Sequence, residues 1–255
     1  MRIIVGLCAF KKKYYTGPIK CVEIQQTFYN IPRQATVEKW RTEAPDDFIF
    51  NVKAFQGLTH AYTSPTWRRY SKKLSDKQKE LVGDLKLNEL TKQWIDTYVE
   101  FARILNARVL LIQTPKKFAP TNENFHRAQK FFDYLNYKID EYSIEVWIGW
   151  EPRGEWLQDK SKLEKILRDI PRLIHVVDPL FHEPVLIKRI GYFRLHGRPY
   201  LNYKYRYMES DLREILAKLN NWKDMLDEVF IMFNNIYMEK DALLFKKMVE
   251  RKNES

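Results

Sequence analysis

The sequence predicts a single TIM-type (β/α)8 barrel whose first helix is reduced or missing. Three observations carry this. Eight short runs rich in Val, Ile and Phe recur along the chain with helical stretches between most of them, and such alternation implies a parallel sheet. The chain has 255 residues, a size at which α/β barrels form one domain. No linker or internal repeat divides it, so residues 1–255 read as one domain.

The elements follow in order. The first strand is 2–8, RIIVGLC, and it runs into KKKYY. A signal peptide would place its charges first and a small-residue cleavage site after the apolar run, so the segment is read as a strand. Only about a dozen residues, AFKKKYYTGPIK, precede the second strand, CVEIQ at 21–25. A parallel crossover needs about that many even with its helix, hence the missing first helix. TVEKWRTEA at 36–44 is a helix that stops before Pro45, and the third strand is FIFNVK at 48–53. The region 54–86 is a long insertion after it, a loop with some helix, on the face where barrel active sites lie.

The helix 87–107 places Leu90, Trp94, Tyr98, Phe101 and Leu105 at helical spacing. The fourth strand is ARVLLIQ at 107–113. The helix 122–139 follows Pro120, with Thr121 as its N-cap. Then come the strand IEVWIGWE at 144–151, the helix 160–170 before Pro171, and the strands LIHVVD at 173–178 and IGYFRLH at 190–196. The helix 211–222, the strand EVFIMFN at 228–234 and the helix 240–252 complete the chain.

Composition narrows the function classes. No apolar run approaches the ~18 residues of a membrane span, so no membrane partner is expected. The eight glycines form no dinucleotide fingerprint or P-loop. Cys8 and Cys21 match no zinc or redox spacing. They read as core thiols, or as one bridge if the first two strands are neighbours, and the cytoplasm is the default location. The net charge of +11 suits an anionic small molecule or nucleic acid as partner. It also suits a solvated basic surface of the kind found in heat-adapted proteins.

The strand ends are polar. Glu23 alternates with Val22 and Ile24; Asn51 and Lys53 alternate with apolar neighbours; Gln113 follows VLLI; Glu151 ends its strand; Asp178 ends HVVD; Asn234 and Asn235 follow FIMF. In GYFRLHGRPY, 191–200, the titratable residues Arg194, His196 and Arg198 fall at every second position, and alternate strand residues share a face. Arg198 is assigned to the loop beyond, where Gly197 lets the chain turn. The apolar sets face the helices and the polar sets face the barrel axis at its C-terminal mouth. Buried charges are costly unless paired, so the ring points to function there.

Several segments together resemble one family: VEIQQTFYNIP (22–32), Trp40, PDDFIFNVKA (45–54), LTH (58–60), QTP (113–115), EPRGEW (151–156), VVD (176–178), FRLHGR (193–198), YKYRY (203–207) and FIMFNN (230–235). The chain resembles the domain of unknown function 72 family, the YecE-like proteins, over essentially its whole length. The resemblance implies a TIM barrel with no established activity. It singles out Glu23, Tyr29, Lys53, His60, Gln113, Glu151, Arg153, Asp178, Arg194, His196, Asn234 and Asn235. The chain departs from the family at its start, where YYTGPIK leads almost directly into the second strand.

Acid–base or hydrolytic chemistry on an anionic, phosphate-bearing or nucleic-acid-like substrate is the expected function. Glu23, Glu151, Asp178 and His196 are the catalytic candidates. Two carboxylates among cations can hold separated proton affinities, and histidine shuttles protons near neutrality. Lys53, Arg153 and Arg194 would hold anionic oxygens, with Tyr29, His60 and Gln113 beside them. No cofactor is required. A divalent metal is disfavoured because the same cations would neutralise its carboxylate ligands. The loop GRPYLNYKYRYMES interleaves Arg198, Lys204 and Arg206 with tyrosines including Tyr203 and Tyr205. Cations between rings suit anions or single-stranded nucleic acid. The alternative is therefore a non-catalytic nucleic-acid-binding module using its basic and tyrosine-rich loops, against which stands a loop that merely packs over the barrel rim.

Overall fold

The computed structural model describes residues 1–254. Eight parallel strands close into a barrel in sequence order: β1 Arg2–Leu7, β2 Cys21–Ile24, β3 Ile49–Lys53, β4 Val109–Gln113, β5 Trp147–Glu151, β6 Leu173–Val177, β7 Ile190–Leu195 and β8 Glu228–Phe233. Among the described residues, the helices of ten residues or more are α1 Gln34–Glu43, α2 Glu89–Leu105, α3 Asn122–Glu141, α4 Lys160–Asp169, α5 Glu209–Asn221 and α6 Met238–Glu254. Ser255, the end of the expected domain, lies outside the described residues.

The first crossover contains only a 3-10 turn, Lys12–Thr16, as the short spacing predicts. A second crossover also lacks a helix, which the sequence reading does not anticipate. Residues 178–189 join β6 to β7 as an irregular strap. Pro179 and Pro184 bar a continuous helix there. The strap is pinned to β6 by Val185, whose amide donates to His175 Nδ1 at 3.1 Å.

Five strands end one residue earlier than the sequence suggests, so Cys8, Gln25, Asp178, His196 and Asn234 lie just beyond the ladder. Polar side chains there engage the departing backbone. Asp178 Oδ1, for example, accepts from Leu180 N at 3.1 Å.

Contacts group the chain into two compact units. One comprises Met1–Glu23, Asp46–Ile49 and the chain from Ile174 onward; the other comprises Ile24–Pro45 and Phe50–Leu173. In the first, β1 pairs with β8 from Arg2↔Glu228 to Leu7↔Phe233, and β8 pairs with β7 from Ile190↔Glu228 to Leu195↔Phe233. Gly6, Met232 and Arg194 therefore share one face. A Cβ on Gly6 would lie 2.5 Å from Met232 Sδ and 3.0 Å from Cys21 Sγ, so glycine makes room for that thioether. Cys8 and Cys21 are buried free thiols, not a bridge.

In the second unit, β4 and β5 pair from Val109↔Trp147 to Gln113↔Glu151, and Lys53 lies opposite Leu111. Lys53, Gln113 and Glu151 thus emerge on one face at three successive strand ends. The insertion after β3 is packed: Phe55 is surrounded by Trp67, Tyr70 and Trp94 at ring distances of 5.6, 5.2 and 4.9 Å. It includes a single helical turn at Gln56–Thr59 and a short helix, Asp76–Leu81, with a Ser75–Gln78 capping box. Asn88 and Thr121 cap α2 and α3, each accepting an otherwise unsatisfied N–H.

Candidate functional site

The first unit carries a buried chain of charged groups on β2 and β7 and just beyond β6 and β7. Glu23 and Arg194 form a fork pair: Arg194 Nε donates to Oε2 and Nη2 to Oε1, both at 3.0 Å. Two parallel bonds of this kind fix orientation as well as energy. Tyr192 adds a third, its hydroxyl donating to Glu23 Oε2 at 2.8 Å. Burial and the nearby Glu23 charge push the Tyr192 hydroxyl pKa far up, so it remains a donor. Tyr192 is absent from the expected site. Its signal is the strand alternation itself, since 192, 194 and 196 share a face.

Arg194 Nη1 lies 3.3 Å from His196 Nε2. A guanidinium can only donate, so Nε2 presents its lone pair and the imidazole proton sits on Nδ1. That nitrogen faces Asp178 Oδ2 at 3.7 Å. The same oxygen accepts the His196 backbone N–H at 2.8 Å. Asp178 thus orients His196 and ties the end of β7 to the strap. Tyr200 and Tyr203 approach the imidazole edge-on, both with ring centroids 6.1 Å away.

Gly197, at φ +83°, breaks the alternation. A side chain here would strike Asn202 O at 2.1 Å. Arg198 therefore turns away from Arg194 and His196 and reaches α5, donating to Asp211 at 3.1 Å and Glu214 at 2.6 Å. Tyr205 OH also donates to Asp211, at 2.7 Å. The expected substrate residues Arg198 and Tyr205 thus brace their own loop, because α5 presents carboxylates to it. Tyr207 OH accepts from Gly197 N at 2.7 Å. Asn235 donates to Tyr205 O and to Asp241 of α6, each at 2.7 Å. Its parity with Phe233 directs it toward α6 rather than the barrel axis, which corrects the expected inward-facing position. Asn234 is half-buried and donates its backbone N–H to Leu195 O at 2.9 Å. Tyr203, 43% exposed, stays at the surface.

The second unit carries a different cluster. Lys53 donates to Gln113 Oε1 at 2.5 Å and to Gln25 Oε1 at 3.5 Å. Its ammonium lies 4.2 Å from the centre of the Phe28 ring, a favourable cation–π position. His60 meets the same ring edge-on at 5.1 Å, and its Nδ1 is 2.7 Å from Thr59 Oγ1. Burial, Lys53 and Arg153 together lower the His60 pKa to about 3. Arg153 Nη2 donates to Glu151 Oε1 at 3.0 Å. Tyr29 receives the Arg69 guanidinium over its ring at 3.6 Å. Among the expected residues the structure thus joins Lys53, Gln113, His60, Glu151 and Arg153, and holds Tyr29 through Arg69. Phe28 and Thr59 are additions that apolar or neutral residue type alone did not mark.

Among the described residues no three His, Cys, Asp or Glu side chains are placed to hold a metal ion. The carboxylates that a metal would need instead meet Arg194 and Arg153. No described helix is long and apolar enough to cross a membrane.

Comparison with known proteins shows the family and the fold. The family described as "Protein of unknown function DUF72" matches residues 10–255, and the chain belongs to that family. A DUF72 family protein from Enterococcus faecalis is similar at 20% identity and TM-score 0.70, covering 98% of each chain. One from Thermotoga maritima shows 22% identity and TM-score 0.66, covering 98% of this chain and 100% of that one. A D-tagatose 3-epimerase-like protein shares the fold at 14% identity and TM-score 0.60, covering 100% and 97%. No curated protein sequence matches the chain.

Proposed function

We propose that this chain is an enzyme that performs acid–base chemistry, hydrolytic or proton-transferring, on an anionic substrate at the C-terminal ends of its barrel strands. The observation that supports it is the chain Glu23–Arg194–His196–Asp178. These four ionisable groups are each 2% exposed or less. Buried ion pairs are often no better for stability than apolar packing, and most other residues of these strands are apolar, His175 and Tyr192 excepted. Barrel enzymes place reacting groups at this end.

In this reading Glu23 and Tyr192 are positioning residues for Arg194. Arg194 and Asp178 orient His196, which exchanges the proton. In the second unit, taken by itself, Glu151 steadied by Arg153 is the other carboxylate candidate, and Lys53 and Arg153 are the candidates for holding anionic oxygens of a phosphate-bearing or nucleic-acid-like ligand. The fold neighbour described as epimerase-like is compatible with proton-transfer chemistry on such a scaffold.

The test is a thermal-shift screen of phosphate monoesters, sugar phosphates and short oligonucleotides, followed by product detection for every stabilising compound. The expected result is turnover of one anionic class, lowered on the order of 10²-fold or more in His196→Gln with binding retained, as for loss of an acid–base group. The opposing result is oligonucleotide binding without turnover, with affinity falling steeply in salt. That outcome fits the chain's +11 charge and replaces the enzyme with a binding module.

A further inference from the structure

Lys53, Gln113, His60 and Arg153 come from separate places in the sequence, yet the structure links them. The β3–β4–β5 pairing brings the ends of three strands side by side, with Gln113 opposite Glu151 and Lys53 opposite Leu111. Phe28 forms a shared floor, with the Lys53 ammonium over its face and His60 against its edge. Thr27 locks this corner, its hydroxyl 2.6 Å from Ile24 O and 2.7 Å from Lys53 O. Tyr98 of α2 donates its hydroxyl to Thr27 O from behind. The side chains therefore stand on a backbone fixed independently of any ligand.

Their donor directions are also fixed. An ammonium only donates, so the Gln113 carbonyl must face Lys53 and its amide N–H groups must point the other way. Glu151 receives Nε and Nη2 of Arg153 on a single oxygen, Oε1, which sets the plane of that guanidinium. Thr59 meets His60 on Nδ1.

We propose that Lys53, the Gln113 amide, His60 and Arg153 form a subsite for the phosphoryl group of the substrate, resting on the reading of the chain as an enzyme for anionic substrates. Donors drawn from different strands and loops, if a ligand engages them together, suit a tetrahedral group with three equivalent oxygens better than a planar carboxylate with two. Burial is the main cause of the low proton affinity of His60, and Lys53 and Arg153 each lower it further, so both cations act on this imidazole. A bound anion, which for inorganic phosphate is the monoanion in the acid range where His60 titrates, opposes the effect of the two cations, and His60 then gains a proton more readily.

This gives a direct readout with inorganic phosphate as probe. In the wild-type chain at low ionic strength, the His60 ring resonances are followed by NMR from pH 7 downward, with and without phosphate. Phosphate is expected to raise the His60 pKa by about one unit or more, while chloride at equal ionic strength leaves it unchanged. Lys53→Met is expected to weaken phosphate binding at least about 10-fold, with Lys53→Arg retaining part of it because the charge remains. Phosphate that leaves the His60 titration unmoved at tens of millimolar overturns the subsite, and that measurement needs no variant to fold. Sulfate matching phosphate supports the tetrahedral geometry; acetate matching it overturns the preference for a phosphoryl group. If the subsite fails while His196→Gln still abolishes turnover, the enzyme reading stands without it; if neither responds, both fall.

Discussion

Around Glu23 each carboxylate oxygen meets a fixed donor, whereas near Lys53 burial and two cations lower the proton affinity of a histidine. The two histidines have different surroundings. His196 is held by a guanidinium that takes its Nε2 lone pair and a carboxylate that faces its Nδ1. His60 is emptied by burial and by Lys53 and Arg153. The difference teaches that strand ends with similar residue types can form either a chain of matched charges or a cluster in which cations stand beside an aromatic ring and a buried imidazole.

The strongest way to break the comparison is Arg194→Met. It leaves Glu23 buried without its fork partner, which costs about 3–5 kcal/mol and lowers Tm on the order of 10 °C for a chain of this size. Arg153→Met, beside a more open pair, is expected to cost only about 1–2 kcal/mol. Equal losses in thermal unfolding would erase the distinction between the two clusters.

His60 sharpens the second cluster through pH. Its folded pKa, about 3, lies below the unfolded value of about 6.5. The unfolded chain therefore takes up a proton that the native chain refuses, and stability is lost as pH falls from about 6.5 toward 3. His60→Gln is expected to remove about 3 kcal/mol of the loss between pH 6.5 and 4, measured by urea unfolding at each pH. An unchanged pH profile would mean that the imidazole is not held neutral.

Gly6→Ala tests the packing beneath the first cluster. Its methyl group meets Met232 Sδ and Cys21 Sγ, with an expected cost of about 1–3 kcal/mol, partly relieved by Met232→Leu. The smallest effect is expected for Asp211→Asn, about 1 kcal/mol from weakened bonds to Arg198, Tyr205 and the Met208 amide. Hydrogen exchange should rise at residues 197–208 and not at Lys53 or Gln113.

Much of this was legible in the sequence. Period-two alternation marked Glu23, Lys53, Glu151, Arg194 and His196 as residues on one face of their strands, and all five are buried. The same rule applied one step further would have found Tyr192. Alternation failed at Gly197, where the backbone turns and sets the direction of Arg198, whereas Asn235 keeps the parity of Phe233 and so meets Asp241 of α6. The missing first helix followed from spacing alone. The helix-free strap after β6 did not, although Pro179 and Pro184 stood in the sequence as its cause.

The sequence by itself determined the order of strands and helices, the closed parallel barrel and the polar character of the strand ends, because periodicity and spacing are local properties. Only the tertiary structure decided the partners: Glu23 with Arg194, Arg198 with Asp211 and Glu214, Asn235 with Asp241. Those pairs join residues 6 to 171 positions apart, and charge matching at that distance depends on strand register and loop direction, which no local pattern encodes.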